Sequence, residues 1–129
     1  MAKLRHIAIL VADPDASADF FERAFDLKRV GVARCGVYLS DGTMNVALLK
    51  IETKDEKPGI AHFGMWVDNL EEAERKATEA GAVYIAGRPD TSDAFYECKF
   101  REENGIVFDL TDRGWVGAVK NVIPGKPHA

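Results

Sequence analysis

The chain has 129 residues, enough for one domain with a substantial core and too few for two independent domains of ordinary size. Hydrophobic residues make up 47% and charged residues 29%, a balance typical of soluble globular proteins, and the net charge of −4 argues against a nucleic-acid-binding surface. The sequence contains neither an apolar run long enough to span a membrane nor a signal-peptide pattern at its start, so we expect a cytoplasmic protein.

The first half of the sequence predicts a strand, a helix and three further strands. Residues 4–11 form a short apolar run typical of a buried strand. Asp13 and Pro14 suit a helix start, and the helix is predicted over 14–26. The three strands that follow are predicted over 28–33, 36–40 and 43–51, with Asp41-Gly42 as the hairpin turn between the last two.

The same order begins again after a polar linker over 53–59. A strand is predicted over 60–67, then a helix capped by Asp68-Asn69 that ends near Gly81. The remaining strands are predicted over 82–86, 95–101 and 106–111. The sequence therefore predicts an α+β fold of two βαβββ modules, 4–52 and 60–112, within a single domain over 4–112, followed by a C-terminal extension over 113–129. We expect the second module to cover the open face of the first module's sheet.

Three polar residues lie within these apolar strands. His6 and His62 occupy the same slot of the two opening strands, and each has a small residue, Ala8 or Gly64, two places further on the same face. Asp109 lies in the last strand, where an unpartnered carboxylate would be costly to bury. Two imidazoles and one carboxylate are a ligand set that suits Fe(II) or Mn(II) and tolerates Zn(II).

Ordinary structural explanations compete with this metal-site prediction. A histidine on an apolar strand is commonly a hydrogen-bonded core residue. A single acid is commonly paired with a basic side chain, and the basic candidates are Arg5, Lys99 and Arg113. Cys35 and Cys98 are too few and too far apart for a CxxC motif, so both are predicted to be packing residues.

Three segments resemble the vicinal-oxygen-chelate superfamily, which contains glyoxalases, bleomycin-resistance proteins and extradiol dioxygenases. They are Leu4-Arg-His-Ile-Ala-Ile-Leu-Val-Ala-Asp-Pro, Ala61-His-Phe-Gly-Met-Trp-Val-Asp-Asn and Glu103-Asn-Gly-Ile-Val-Phe-Asp-Leu-Thr-Asp. Members place metal ligands on the first, fourth, fifth and eighth strands. The resemblance assigns three of these roles to His6, His62 and Asp109, although the family usually has Glu at the last position. Alignment of the two hairpins places Val46, which cannot bind a metal, at the fourth-strand position.

The resemblance implies a metal-dependent enzyme acting on a small molecule with vicinal oxygens. The three-ligand set is similar to that of the dioxygenases, which are oxidoreductases, whereas glyoxalase-type isomerases and lyases use four ligands. The catalytic candidates are Tyr96 and Lys99, with Glu97 and Tyr38 as further acid–base groups, and the substrate-pocket candidates are Trp66, Tyr38, Phe95 and Trp115.

Two alternative functions stay open on the sequence alone. One is a binding protein of the bleomycin-resistance type, which needs no metal. The other is a fosfomycin-type thiol transferase, which needs a basic cluster around a phosphonate. Relatives of this size form homodimers, so the resemblance implies a dimer in which the modules pair within one chain or across two.

Overall fold

The computed structural model describes residues 2–33, 35–87 and 97–112, and the predicted element order is found there. The α+β fold class is therefore confirmed. The strands and helices are β1 (Lys3–Val11), α1 (Pro14–Phe25), β2 (Lys28–Ala33), β3 (Gly36–Ser40), β4 (Asn45–Lys50), β5 (Gly59–Trp66), α2 (Leu70–Glu79), β6 (Val83–Ala86), β7 (Cys98–Arg101) and β8 (Val107–Thr111). The predicted start of the seventh strand at residue 95 lies outside the described residues. None of the described helices is long and apolar enough to cross a membrane.

The eight strands of the described residues belong to one sheet, in the order β2-β3-β4-β1-β5-β8-β7-β6. Within each module the opening strand pairs in parallel with the closing one, β1 with β4 and β5 with β8. The modules meet where β1 and β5 pair antiparallel within the same chain. The prediction that the second module covers the face of the first was wrong. The second module instead extends the sheet edge to edge, because β1 and β5 each have one free edge whose backbone groups the other can pair.

Both helices pack on the same face of this sheet. The core beneath α1 is formed by Ala18, Val37, Leu39 and Leu48. The core beneath α2 is formed by Val67, Leu70, Cys98, Phe100 and Leu110. Cys98 is thus a packing residue, as predicted. Because the apolar side chains of β1 and β5 alternate toward these cores, their polar neighbours are directed to the opposite face.

Local capping explains where each helix begins. The side chain of Asp13 accepts hydrogen bonds from the backbone N–H groups of Asp15 and Ala16, and Pro14 occupies the first turn. The side chain of Asn69 caps α2 by accepting from the N–H of Glu72. Each helix therefore starts just beyond the opening strand of its module. Because both helices cover the same face of the sheet, the other face is left for the polar residues.

Candidate functional site

The register between β1 and β5 explains the small residues beside the two histidines. His6 lies opposite Gly64, and His62 lies opposite Ala8, so each imidazole faces the small residue of the other module. The two rings meet edge to face with their centroids 5.4 Å apart. His6 is fully buried and the side chain of His62 is 11% exposed. The two modules therefore deliver one imidazole each to a common point on the face away from the helices.

Asp109 reaches the same point from β8, where it pairs in parallel register with Gly64. Its Oδ2 lies 3.2 Å from Nε2 of His6 and 3.2 Å from Nε2 of His62. Within the described part of the chain this buried oxygen makes no hydrogen bond of acceptable geometry. Three potential ligand atoms are thus directed at one another from three strands.

Gly64 provides the space between these groups. A Cβ atom at this position would collide with the imidazole ring of His6 and would lie 2.6 Å from Oδ1 of Asp109. No other residue type fits at this position while the imidazole and the carboxylate keep their places.

Arg5 joins the site through an irregularity in β1. Consecutive residues of a regular strand face opposite sides, but the pairing of β1 with β5 shifts register between Leu4 and His6. Arg5 is consequently only 1% exposed and lies beside His6. Its Nη2 donates to Oδ1 of Asp109 at 3.1 Å and to Oε2 of Glu97 at 2.8 Å. The alternative explanation that Asp109 pairs with a basic residue therefore holds for one of its oxygens, Oδ1.

Glu97 is the fourth potential ligand of the cluster. It directly precedes β7, and one ligand atom from each of His6, His62, Glu97 and Asp109 lies within 4.8 Å of the others. Lys99 lies opposite Asp109 in the register of β7 and β8, and its Nζ donates to Oε1 of Glu97 at 3.1 Å. The sequence indicated Glu97 only as an acid–base candidate, because the facing of a residue at a strand start is uncertain by one position.

Burial and neighbouring charges determine the protonation states of His6 and Asp109. Burial lowers the pKa of His6 below its ordinary value, which outweighs the opposing effect of Asp109. Burial would raise the pKa of Asp109, but the neighbouring His6 and His62, together with the positive charge of Arg5, hold it well below its ordinary value. A neutral imidazole therefore stands beside an ionised carboxylate.

Tyr38 and Trp66 occupy different parts of this face. Tyr38 pairs with Ala47, which pairs with Ala8, so its side chain lies on the histidine face. Its burial raises the pKa of its hydroxyl, and the negative charge of Glu97 raises it further. Trp66 is only 2% exposed, so little of its ring is available to a ligand. The other predicted site residues, Phe95, Tyr96 and Trp115, lie outside the described residues, as does Arg113.

The alignment of the two hairpins placed the fourth-strand counterpart of Asp109 one residue too early, at Val46. The parallel register places Ala47 opposite Ala8, as it places Asp109 opposite Gly64, so Ala47 and not Val46 is the counterpart of Asp109. Val46 instead packs against the core beneath α1. The error arose because the two hairpin loops differ in length, so aligning their turns matched the following strands one residue out of step. The conclusion that the fourth strand supplies no ligand is unchanged, since alanine cannot bind a metal either.

Side chains from both βαβββ modules thus meet in one His–His–carboxylate cluster. The sequence model of the Glyoxalase/Bleomycin resistance protein/Dioxygenase superfamily matches residues 3–110, and the chain belongs to this family. The resemblance found in the sequence is thereby confirmed.

Solved structures share this fold at low sequence identity. A hypothetical protein from Bacillus halodurans C-125 is 18% identical with a TM-score of 0.72, over 88% of this chain and 96% of that one. Methylmalonyl-CoA epimerase from Mycobacterium tuberculosis is 18% identical with a TM-score of 0.67, over 84% and 85%. The 2,3-dioxygenase LapB from Pseudomonas sp. KL28 is 16% identical with a TM-score of 0.69, over 96% of this chain but 46% of its own length. No protein of curated function matches the sequence. At these identities the likeness is one of fold.

Proposed function

We propose that the protein is a divalent-metal-dependent enzyme acting on a small molecule with two adjacent oxygen atoms, and that His6, His62 and Asp109 hold the ion. The observation that carries this proposal is the spacing of 3.2 Å between Oδ2 of Asp109 and each histidine Nε2. Ligand atoms about 2.1 Å from one ion are separated by about 3.0–3.4 Å in octahedral or tetrahedral geometry. Both distances from Asp109 to the histidines therefore fit ligands of a single ion.

The chemistry of the three groups supports the same proposal. The lowered pKa of His6 keeps its imidazole neutral, and the lowered pKa of Asp109 keeps its carboxylate ionised. These are the protonation states in which both groups bind metals. The Cβ-free space at Gly64 keeps both side chains in place around the common point.

The ligand types favour Fe(II) or Mn(II), with Zn(II) possible. Two imidazoles and one carboxylate leave positions of an octahedral ion open, which suits a substrate that binds through two oxygens and a second small reactant. When bound, the ion would supply Lewis acidity and a template for the substrate oxygens. This arrangement favours a dioxygenase-type oxidoreductase over a reaction that needs four protein ligands.

The neighbouring side chains would handle protons during the reaction. Glu97 and Lys99 lie paired at the edge of the cluster, where Nζ of Lys99 donates a hydrogen bond to Oε1 of Glu97 at 3.1 Å. Tyr38 lies on the same face with its hydroxyl protonated, because burial and the charge of Glu97 raise its pKa. These groups can accept a proton from a substrate hydroxyl and return one to the product. Arg5 and Lys99 are each committed to carboxylates, which disfavours a phosphonate site of the thiol-transferase type.

The experiment that tests this function is metal analysis by ICP-MS after anaerobic loading with Fe(II) or Mn(II). We expect about one ion per chain in the wild type, as a single site requires. His62→Ala should lose this ion, whereas His128→Ala, which removes the histidine outside the proposed site, should retain it. Equal metal content in the wild type and His62→Ala would contradict the proposal. Protein that takes up no metal would instead support a binding protein of the bleomycin-resistance type. If the wild type does take up metal, its oxygen consumption with catechols is measured next.

A further inference from the structure

Glu97 is held by two cations at the edge of the proposed ligand set. Its Oε2 accepts from Nη2 of Arg5 at 2.8 Å, and its Oε1 accepts from Nζ of Lys99 at 3.1 Å. The side chain of Glu97 is 15% exposed and that of Arg5 is 1% exposed, so the Arg5 contact is largely removed from solvent. Hydrogen bonds between ionised partners are stronger than neutral ones, and burial strengthens them further.

This arrangement matters because Glu97 lies close enough to take part in binding an ion. Its ligand atom is within 4.8 Å of those of His6, His62 and Asp109. Each carboxylate oxygen can accept more than one contact, but the ion pairs with Arg5 and Lys99 hold the group in its present orientation, so an oxygen turns toward an ion more readily when one of these ion pairs is removed. The position of Arg5 therefore decides whether the chain offers three ligands or four.

We infer that Arg5 is a positioning residue that keeps Glu97 out of the ligand set and so limits the protein ligands to three. This inference rests on the proposed function. Arg5 suits this role because its planar guanidinium has several donors, and a single nitrogen, Nη2, reaches both Glu97 and Asp109. The register shift in β1 is what brings this guanidinium to the side of His6.

The consequence is a site with open positions and moderate metal affinity. With Arg5 removed, Oε2 of Glu97 loses its partner and can turn toward the ion while Oε1 keeps its contact with Lys99, and a positive charge that repels the ion is lost. Both effects strengthen metal binding. Both also reduce the room left for a substrate, because the additional carboxylate occupies a position that a substrate oxygen would use.

The test uses Co(II) as the probe, because its visible absorption spectrum reports the number and geometry of its ligands. The proteins compared are the wild type, Arg5→Met, Glu97→Gln and the double variant Arg5→Met/Glu97→Gln. Methionine matches the length of arginine's aliphatic portion without its charge or donors. Arg5→Met is expected to change the spectrum and to bind Co(II) about tenfold tighter, because a ligand is gained and a charge that repels the ion is lost. The double variant should regain the wild-type spectrum, because the additional ligand is gone.

Glu97→Gln alone should keep the wild-type spectrum, and this variant tests the inference even if Arg5→Met fails to fold. A spectrum altered by Glu97→Gln would show that Glu97 is already a ligand and would overturn the inference. An unaltered spectrum in Arg5→Met, or the same altered spectrum in Arg5→Met and the double variant, would overturn it as well. Failure of the proposed function is distinguishable, since the wild type and His62→Ala would then show the same Co(II) spectrum.

Discussion

The site depends on two small residues as much as on its histidines. Gly64 and Ala8 lie directly opposite His6 and His62 in the central strand pair, and they leave room for the two imidazoles on one face. At Gly64 the available space is smaller than a single carbon atom, because a Cβ there would overlap the His6 ring. The most informative single-atom change in the chain is therefore at this glycine.

Gly64→Ala is expected to abolish or greatly weaken metal binding. The added methyl group forces either the imidazole of His6 or the carboxylate of Asp109 away, and such overpacking costs about 1–3 kcal/mol of stability. Isothermal titration with Mn(II) measures the affinity, and urea unfolding measures the stability. Unchanged Mn(II) affinity in a folded variant would contradict the proposed geometry.

Gly42→Ala is the matched control for this substitution. Gly42 has a φ of 94° in the turn between β3 and β4, and a Cβ there would meet nothing within 4 Å. Alanine should cost about 1 kcal/mol through backbone strain alone. Mn(II) affinity should therefore stay at the wild-type value while stability falls.

Much of the cluster could be predicted from the sequence. There are physical reasons why the placement of Arg5 and the role of Glu97 could not. His6 and His62 were visible because the repeat places them in equivalent slots, and Asp109 because an acid in an apolar strand needs a partner. The placement of Arg5 could not be predicted, because strict alternation directs it away from His6 and only the register shift reverses this. The role of Glu97 depends on its contact with Arg5, which is 92 positions away in the chain.

At the scale of single elements, the hairpin between β3 and β4 contains a titratable group that stabilises its turn. Oδ1 of Asp41 accepts hydrogen bonds from the backbone N–H groups of Thr43 and Met44, both at 2.8 Å. These bonds, that of Met44 first, hold the pKa of Asp41 below its ordinary value of 3.8. The carboxylate therefore stabilises the fold above that value, and this stabilisation is lost as the pH falls through the lower pKa of the folded state.

Asp41→Asn should reveal this contribution through its pH dependence. The free energy of unfolding of the wild type should exceed that of the variant by no more than about 1 kcal/mol above roughly pH 5, because the group is exposed. The difference should shrink as the pH is lowered toward roughly 2. Urea unfolding over this range measures it, and a difference that is independent of pH would refute the assignment.

The end of α1 offers a stabilising substitution. Asp26 follows the helix with a φ of 58°, in the left-handed region that glycine adopts without strain. Asp26→Gly should raise the free energy of unfolding by about 0.5–1 kcal/mol, and thus the Tm by a few degrees. Asp26→Ala should lower it, because alanine keeps the strain of a Cβ atom and lacks the short polar side chain that makes Asp better tolerated in this region. Differential scanning calorimetry distinguishes these outcomes, and a lower Tm for the glycine variant would contradict the argument.

At the scale of the whole molecule, the duplication was predictable and the way the modules join was not. Alternating apolar residues show that each module has one face for a helix, but they do not show whether the other face is covered by the partner module. The structure resolves this by edge-to-edge pairing of β1 with β5, and side chains of both modules meet on that face, where His6 and Asp109 are fully buried. The proposed ligands therefore come from both modules, with His6 from the first and His62 and Asp109 from the second.

Metal binding should consequently stabilise both modules together. At a Mn(II) concentration about 100 times the dissociation constant, the stabilisation is about 2.7 kcal/mol, or roughly 10 °C in Tm. Thermal unfolding followed by far-UV circular dichroism should show one transition that shifts as a whole. His62→Ala should show no shift. Two transitions, of which only one responds to Mn(II), would contradict a site shared by the modules.

The central claim is that one ion binds between the three side chains, and anomalous X-ray diffraction from Mn(II)-loaded crystals tests it most directly. The account predicts one anomalous peak per chain, about 2.0–2.2 Å from Nε2 of His6, Nε2 of His62 and a carboxylate oxygen of Asp109. A well-ordered site with no anomalous peak among these three side chains, or with a peak bound only by other residues, would contradict it.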